Sequence, residues 1–136
     1  MNQAHAYVNY FYQRFEGRVA IGVGYGQDLS EIYPFVFENT DGNAIGIVAL
    51  GVYSNENIPY AHIYHIGSFR SNRGDGSRIL RELCFQADKY QIILSLSPIF
   101  MPTGNNEPMS DELLKSWYGR FGFKGSLPFS RAPIKL

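Results

Sequence analysis

Apolar side chains near the start of the chain recur at intervals of three and four. Ala4, Tyr7, Val8, Phe11 and Phe15 share one stripe, which predicts a helix closed by Gly17. The segment RVAIGVGY, 18–25, alternates weakly around its glycines and reads as a short strand. Tyr33–Glu38 and Ala44–Tyr53 are rich in β-branched and aromatic residues and flank Asn39-Thr40-Asp41-Gly42-Asn43. An Asp-Gly between two such runs predicts a hairpin. A third strand over Tyr60–Phe69 completes an antiparallel meander. The period then lengthens: from Ser77 onward Ile79, Leu80, Leu83, Cys84 and Ala87 lie on one helical face, while Arg78, Arg81, Glu82, Gln86 and Asp88 lie off it. Gln91–Phe100 returns to strand character. The loop MPTGNNEPM leads to Ser110, placed as an N-cap with Asp111 and Glu112 in the first turn behind it. Leu113, Leu114, Trp117 and Phe121 supply the apolar stripe of that helix, Gly122 ends it, and one or two closing strands follow from Phe123. The central order of strand, loop, helix, strand implies a crossover. One parallel pair is therefore expected inside a mainly antiparallel sheet, in a domain of the α+β (α/β) class.

Composition narrows what such a domain does. The 136 residues are 45% hydrophobic and 15% aromatic, enough for one core, so 1–136 is expected to fold as a single domain. Lys+Arg and Asp+Glu number 12 each with no run of five like charges, so nucleic acid is not an expected partner. Cys84 is the one cysteine and cannot close an internal disulfide, which points to the cytoplasm. Its place on a helical stripe marks a buried thiol, not a nucleophile. The start MNQAHAYVNYFYQRF lacks a charged segment followed by an apolar run, and no stretch approaches the roughly 18 apolar residues of a membrane span. A soluble protein with no membrane partner is expected. No Cys/His spacing suggests a metal site.

The chemistry gathers at SNRGDGSRIL, 71–80. A strand that runs through a glycine-bearing loop into a helix presents unpaired backbone N–H groups at the positive end of the helix dipole. That is an anion site suited to a pyrophosphate. Glycine at 74 and 76 removes side chains that would hold phosphates away, and Arg73 or Arg78 can add charge. The same glycines also suit a plain turn before a helix, and the two readings remain open on these residues alone. The antiparallel meander that precedes the loop argues against a dinucleotide-binding fold.

The loop resembles the acetyl-CoA motif of the GCN5-related N-acetyltransferase (GNAT) superfamily, in which Arg or Gln precedes a Gly-any-Gly/Ala and a leucine-rich helix. Gly74, Gly76, Ser77, Ile79 and Leu80 occupy those places; Ser71 stands where the family has Arg or Gln, between Arg70 and Arg73. A second family signature, a Tyr followed by three residues and Gly-Phe, is matched by Tyr118-Gly119-Arg120-Phe121-Gly122-Phe123. The resemblance covers Tyr60 to the C-terminus. It implies a GNAT fold, with a mixed sheet of about six to seven strands splayed between 60–69 and 91–100, and acetyl-CoA held in the splay as co-substrate. It further implies that the amides of Asn72, Arg73, Gly74, Asp75, Gly76 and Ser77 cradle the pyrophosphate. The backbone at Tyr64 and Ile66 would then pair with the pantetheine arm, and Tyr118 would protonate the coenzyme A thiolate. Tyr118 also suits a place on the core stripe beside Trp117. Strand alternation sets Tyr60, His62, Tyr64 and Ile66 on one face and Ala61, Ile63 and His65 on the other. His62 thus shares a face with the thioester end of the site, and its ordinary pKa near 6.5 suits a general base, with a water relay as the rival. The expected acceptor is an amine of a small molecule or a protein, and the family often forms homodimers. A second reading is a non-catalytic coenzyme A-binding or interaction protein, such as a phage or defence effector, that keeps the fold.

Overall fold

A computed structural model of the chain describes residues 3–15, 32–53, 60–70, 74–96, 111–125 and 129–135. The helix α1, Gln3–Arg14, buries Ala4, Tyr7, Val8 and Phe11, the stripe its spacing predicts, and Phe15 continues it. Its aromatic side chains meet the sheet. Phe11 and Phe15 stack on Phe35 at 5.9 and 5.6 Å, and the hydroxyl of Tyr7 donates to the backbone oxygen of Leu83 at 2.8 Å. Buried hydroxyls need such a partner, so Tyr7 both fills the core and fixes the register of one helix on another.

The strands β1 (Ile32–Glu38) and β2 (Ala44–Tyr53) form the expected hairpin. Asn39 closes its loop by accepting from the amides of Asp41 and Asn43 at 2.9 and 3.0 Å, and Gly42 takes a φ of 82°, which a side chain would resist. β3, Tyr60–Ser68, pairs antiparallel with β2. Helix α2, Asp75–Tyr90, then crosses to β4, Ile93–Leu96, which lies parallel to β3 with Tyr60 opposite Ile93 and Ile63 opposite Leu96. After α3, Asp111–Gly119, the chain adds β5, Phe129–Arg131, antiparallel to β4. Among the described residues the result is one mixed sheet in the order β1-β2-β3-β4-β5 with a single parallel pair, an α+β arrangement.

Two expectations fall partly outside the described residues, and one is corrected. The described residues supply five strands toward the six to seven expected; the strand expected at 18–25 lies outside them. The pairing of β3 with β4 is described as far as Leu96, so the splay expected beyond it falls on 97–100, also outside. Helix α2 begins at Asp75, at the glycine pair as expected, because Gly74 at φ 74° supplies the turn that starts it. Gln91 is not the first residue of a strand. It caps α2 in the left-handed region at φ 53°, its amide returning to Asp88 and its side chain to the backbone oxygens of Asp88 and Ile134 at 2.6 and 2.9 Å.

One buried ion pair ties the far side of the domain together. Arg131 on β5 grips Asp88 on α2 with two bonds of 2.8 and 2.9 Å, and its Nε donates to the backbone oxygen of Phe121 at 2.8 Å. The amide of Ile134 adds a third donor to Asp88 at 2.9 Å. Burial alone would raise the Asp88 pKa, but the bonds from Arg131 and Ile134 outweigh it and hold the carboxyl below its ordinary 3.8. This stabilisation is complete above that value and is lost as pH falls through the lower folded one. Asp88→Ala leaves a buried guanidinium without its counter-charge and is expected to cost about 3–5 kcal/mol, read as a fall in the urea midpoint. Replacing both partners, as Asp88→Leu with Arg131→Met, should recover most of that loss; a midpoint as low as that of the single variant would contradict the ion-pair account.

Candidate functional site

Where β3 and β4 run side by side, their carboxyl ends point the same way, and in open α/β sheets that end is where ligands bind. β3 leads there into the N-terminus of α2. Gly74 caps this helix without a side-chain hydrogen bond, and its carbonyl accepts from the amide of Arg78 at 3.0 Å. The first-turn amides of Asp75, Gly76 and Ser77 have no carbonyl within the helix to bond, so a partial positive charge gathers at this end.

The two glycines differ in what requires them. Gly74 sits at a positive φ, so its backbone demands glycine. Gly76 lies inside the first turn of α2, where glycine costs about 0.5–1 kcal/mol relative to alanine. A Cβ placed there would meet only ordinary contacts with the Trp117 ring at 3.7 and 3.8 Å. Neither conformation nor packing explains Gly76.

Asp75 turns its carboxylate inward, fully buried, between Arg70 and Arg78. Arg70 binds one oxygen through Nε at 3.0 Å and Nη2 at 2.9 Å, and Arg78 binds the other at 3.1 Å. Both arginine side chains remain half exposed. One carboxylate against two guanidinium groups leaves this corner with a net positive charge, held in place by a buried anchor.

Helix α3 closes over the corner. Trp117 donates from Nε1 to the hydroxyl of Ser77 at 3.2 Å and lies against Gly76. Tyr118, the next residue, is buried at 5% exposure among Phe123 and Phe129, with ring centroids 5.6 and 6.5 Å away. Phe129 pairs with Leu96 at the end of β4. One helix turn therefore joins the α2 N-terminus to the β4–β5 edge. Burial raises the Tyr118 phenol above its ordinary 10, so it stays protonated at neutral pH and presents an O–H donor. Of the stripe expected for α3, Leu114, Trp117 and Phe121 pack on the core, joined by buried Tyr118, whereas Leu113 is 63% exposed and is corrected.

On β3 a bulge changes the predicted faces. The register moves from Leu50 opposite Ile63 to Ala49 opposite His65, two steps on β3 for one on β2, with Tyr64 in the extra position. Val48 and Leu50 share the core face of β2, so their partners Ile66 and Ile63 share it too, and Ile66 packs on the core. The expectation that Ile66 joins His62 and Tyr64 on the open face is thus overturned, and His65 moves to that face with Ala49. The Tyr64 ring lies directly over Gly51, whose lack of a side chain makes the room. Its edge meets the His62 ring at 4.7 Å, and His62 Nδ1 is 2.8 Å from the hydroxyl of Ser95 on β4. Burial lowers the pKa of His62 from 6.5, so the imidazole is neutral at pH 7.

The structure therefore gathers Gly74, Asp75, Gly76 and Ser77 at one end and His62 and Tyr64 along the adjoining strand; Asn72 and Arg73 lie outside the described residues. Two participants escape a reading of the sequence. Ser95 looks like a polar interruption in the apolar run IILSLS, and only the parallel register sets it opposite His62. Trp117 looks like one more core aromatic until α3 is docked. Among the described residues no group of three or more His, Cys, Asp or Glu side chains is placed to hold a metal ion, and no helix is long and apolar enough to cross a membrane.

No protein-family model and no curated protein sequence matches the chain. Solved structures do. A protein described as an acyl-CoA N-acyltransferase from Klebsiella pneumoniae is 12% identical, with 97% of this chain and 90% of that chain covered and a TM-score of 0.51. GCN5 of Tetrahymena is 13% identical over 89% of this chain and 69% of its own, with a TM-score of 0.49. The anti-CRISPR protein AcrVA5 is 16% identical over 67% of this chain and 83% of its own, at 0.46. A mixed sheet with one helix-crossed parallel pair and a glycine-lined helix N-terminus is the fold this chain shares with that acyl-CoA N-acyltransferase. At 12% identity that likeness is one of fold.

Trp117 is the only tryptophan and touches Gly76 and Ser77. Occupation of the α2 N-terminus is expected to shift the wavelength or intensity of intrinsic tryptophan emission in a saturable titration with coenzyme A. A flat emission curve at concentrations where calorimetry registers binding would place the ligand elsewhere.

Proposed function

We propose that the protein is an acetyl-CoA-dependent N-acetyltransferase that transfers an acetyl group directly to a primary amine. The observation that carries this reading is Gly76, a glycine that neither backbone conformation nor packing requires, at a helix N-terminus beside a parallel strand pair. What it keeps clear is the approach of a ligand to the backbone. In this reading the amides of Asp75, Gly76 and Ser77, with those of Asn72, Arg73 and Gly74, hold the pyrophosphate, and Arg70 and Arg78 add positive charge. The pantetheine arm runs along the end of β3 past the backbone of Ile66 and Tyr64, with hydrogen-bonding main-chain groups supplying most of the grip. Acetyl-CoA supplies the activated acyl group.

The chain's own residues then have three tasks. At pH 7 a lysine-like amine with a pKa near 10.4 costs about 4.6 kcal/mol to neutralise, so a proton acceptor is valuable. His62, already neutral, takes the amine proton. The nitrogen forms its bond to the thioester carbonyl carbon while the N–H groups at the β3 bulge stabilise the charge growing on the carbonyl oxygen. The carbon–sulfur bond breaks, and the departing sulfur is met by the Tyr118 O–H. Because burial raises the Tyr118 pKa, full proton transfer to a thiolate whose acid has a pKa of about 8.5 runs uphill. Tyr118 serves best as a strong hydrogen-bond donor while the proton arrives from solvent. Its acceptor is a small molecule or a protein amine.

A second reading, a coenzyme A-binding protein of this fold without catalysis, is favoured by one observation: the Tyr118 ring packs among aromatic neighbours as a core residue would.

Two variants test the reading. Gly76→Ala is expected to raise the unfolding midpoint, by the equivalent of about 0.5–1 kcal/mol, whereas Gly76→Leu should keep the fold and weaken coenzyme A binding at least tenfold by calorimetry. Unaltered affinity in Gly76→Leu would remove the pyrophosphate site. Separately, thiol release from acetyl-CoA, measured with spermidine and with a lysine peptide as amine probes, should fall by roughly 100-fold or more in Tyr118→Phe, in the range seen when one donor to a developing negative charge is removed. Unchanged turnover would show that Tyr118 is a packing residue.

A further inference from the structure

Ser95 is a buried hydroxyl between Leu94 and Leu96, both also buried, in a strand that otherwise contributes only apolar side chains. Such a group costs free energy unless it is hydrogen-bonded. Its partner comes from the neighbouring parallel strand: the register sets His62 opposite Ser95, and Nδ1 and Oγ are 2.8 Å apart. On its own strand the imidazole is held by the edge-on Tyr64 ring at 4.7 Å, with planes at 65°. Two elements thus hold one ring, Ser95 from β4 and Tyr64 from β3.

We propose that Ser95 is a positioning residue that accepts a hydrogen bond from His62 Nδ1–H, and so makes Nε2 the nitrogen that receives the proton of the acceptor amine. This rests on the assignment of His62 as the base. A serine hydroxyl can donate or accept, and each choice dictates a different tautomer. If Oγ–H donated to Nδ1, the ring proton would sit on Nε2, and the only basic nitrogen would be the one turned toward β4 and occupied by Ser95. If Nδ1–H donates to Oγ, Nε2 carries the lone pair. On taking a proton at Nε2 the ring becomes a cation with both nitrogens as donors, and the Nδ1–H···Oγ bond remains as it was. The second arrangement lets the proton move without reorganising the buried pair, so the ring is set for the reaction in advance.

The test begins without any substrate. Long-range proton–nitrogen NMR spectra of the imidazole at pH 8 distinguish the two tautomers, and His62→Gln identifies which signal belongs to His62. Wild type is expected to show predominantly the Nδ1–H form; Ser95→Ala should shift His62 toward the Nε2–H form, and Ser95→Thr, which keeps the hydroxyl, should restore the wild-type signal. A wild-type Nε2–H tautomer, or a His62 signal indifferent to Ser95→Ala, overturns the proposal. In thiol release with the same two amine probes, Ser95→Ala is expected to lower kcat about tenfold or more with KM for acetyl-CoA unchanged, within the roughly 100-fold worth of a general base. Full turnover by His62→Gln would instead overturn the base assignment and the role of Ser95 with it. The NMR signal separates that failure from a failure of the pair itself.

Discussion

The structure depends on the parallel contact between β3 and β4. Antiparallel neighbours can be joined by a tight turn, as β1 and β2 are, but parallel ones need a long crossover, here α2. That requirement has three consequences. The crossover helix starts where β3 ends, so its N-terminus and dipole lie at the carboxyl end of the pair. The side chains of two strands far apart in sequence fall into register, His62 with Ser95. The helix must also be anchored at its far end, which the buried Asp88–Arg131 pair and the Gln91 cap accomplish.

Polar groups are used sparingly and in pairs. Asp75 organises Arg70 and Arg78, Asp88 organises Arg131 and the amide of Ile134, and Ser95 meets His62. Each case gives a buried oxygen a hydrogen-bonding partner, for Asp88 and Ser95 from another element, and that is the condition under which a buried polar atom is tolerable. The Asp75 cluster carries a surplus of positive charge where the chain offers its helix N-terminus, whereas the Asp88 cluster is charge-balanced and remote from it. The same chemistry leaves net charge at one end of α2 and balances it at the other.

Much of the fold was legible from period alone. The α1 stripe, the hairpin around Asp-Gly, the strand at Tyr60 and the helix after the glycine pair rest on local spacing, and local spacing is what a sequence displays directly. The candidate site was legible in part. Gly74, Gly76 and Ser77 announce themselves by sitting between a strand and a helix, and Tyr118 by its place before Gly-Phe. Misreadings arose where one residue changes a phase. The bulge at Tyr64 moved His65 and Ile66 to opposite faces from those that strict alternation assigns, because an extra residue shifts every later side chain by one step. Gln91 ended a helix in a conformation more usual for glycine, supported by side-chain bonds to partners as distant as Ile134.

What the sequence determined by itself was the set of elements, their order and the presence of a crossover, because these follow from hydrophobic period and turn chemistry within short windows. Only the tertiary structure decided which side chains meet. The contact of Trp117 with Ser77 spans 40 positions, that of His62 with Ser95 spans 33, and that of Arg131 with Asp88 spans 43. No local pattern encodes such pairings. They arise when the apolar faces of separate elements are buried against one another, and the docking that buries those faces also sets the register of the polar groups they carry.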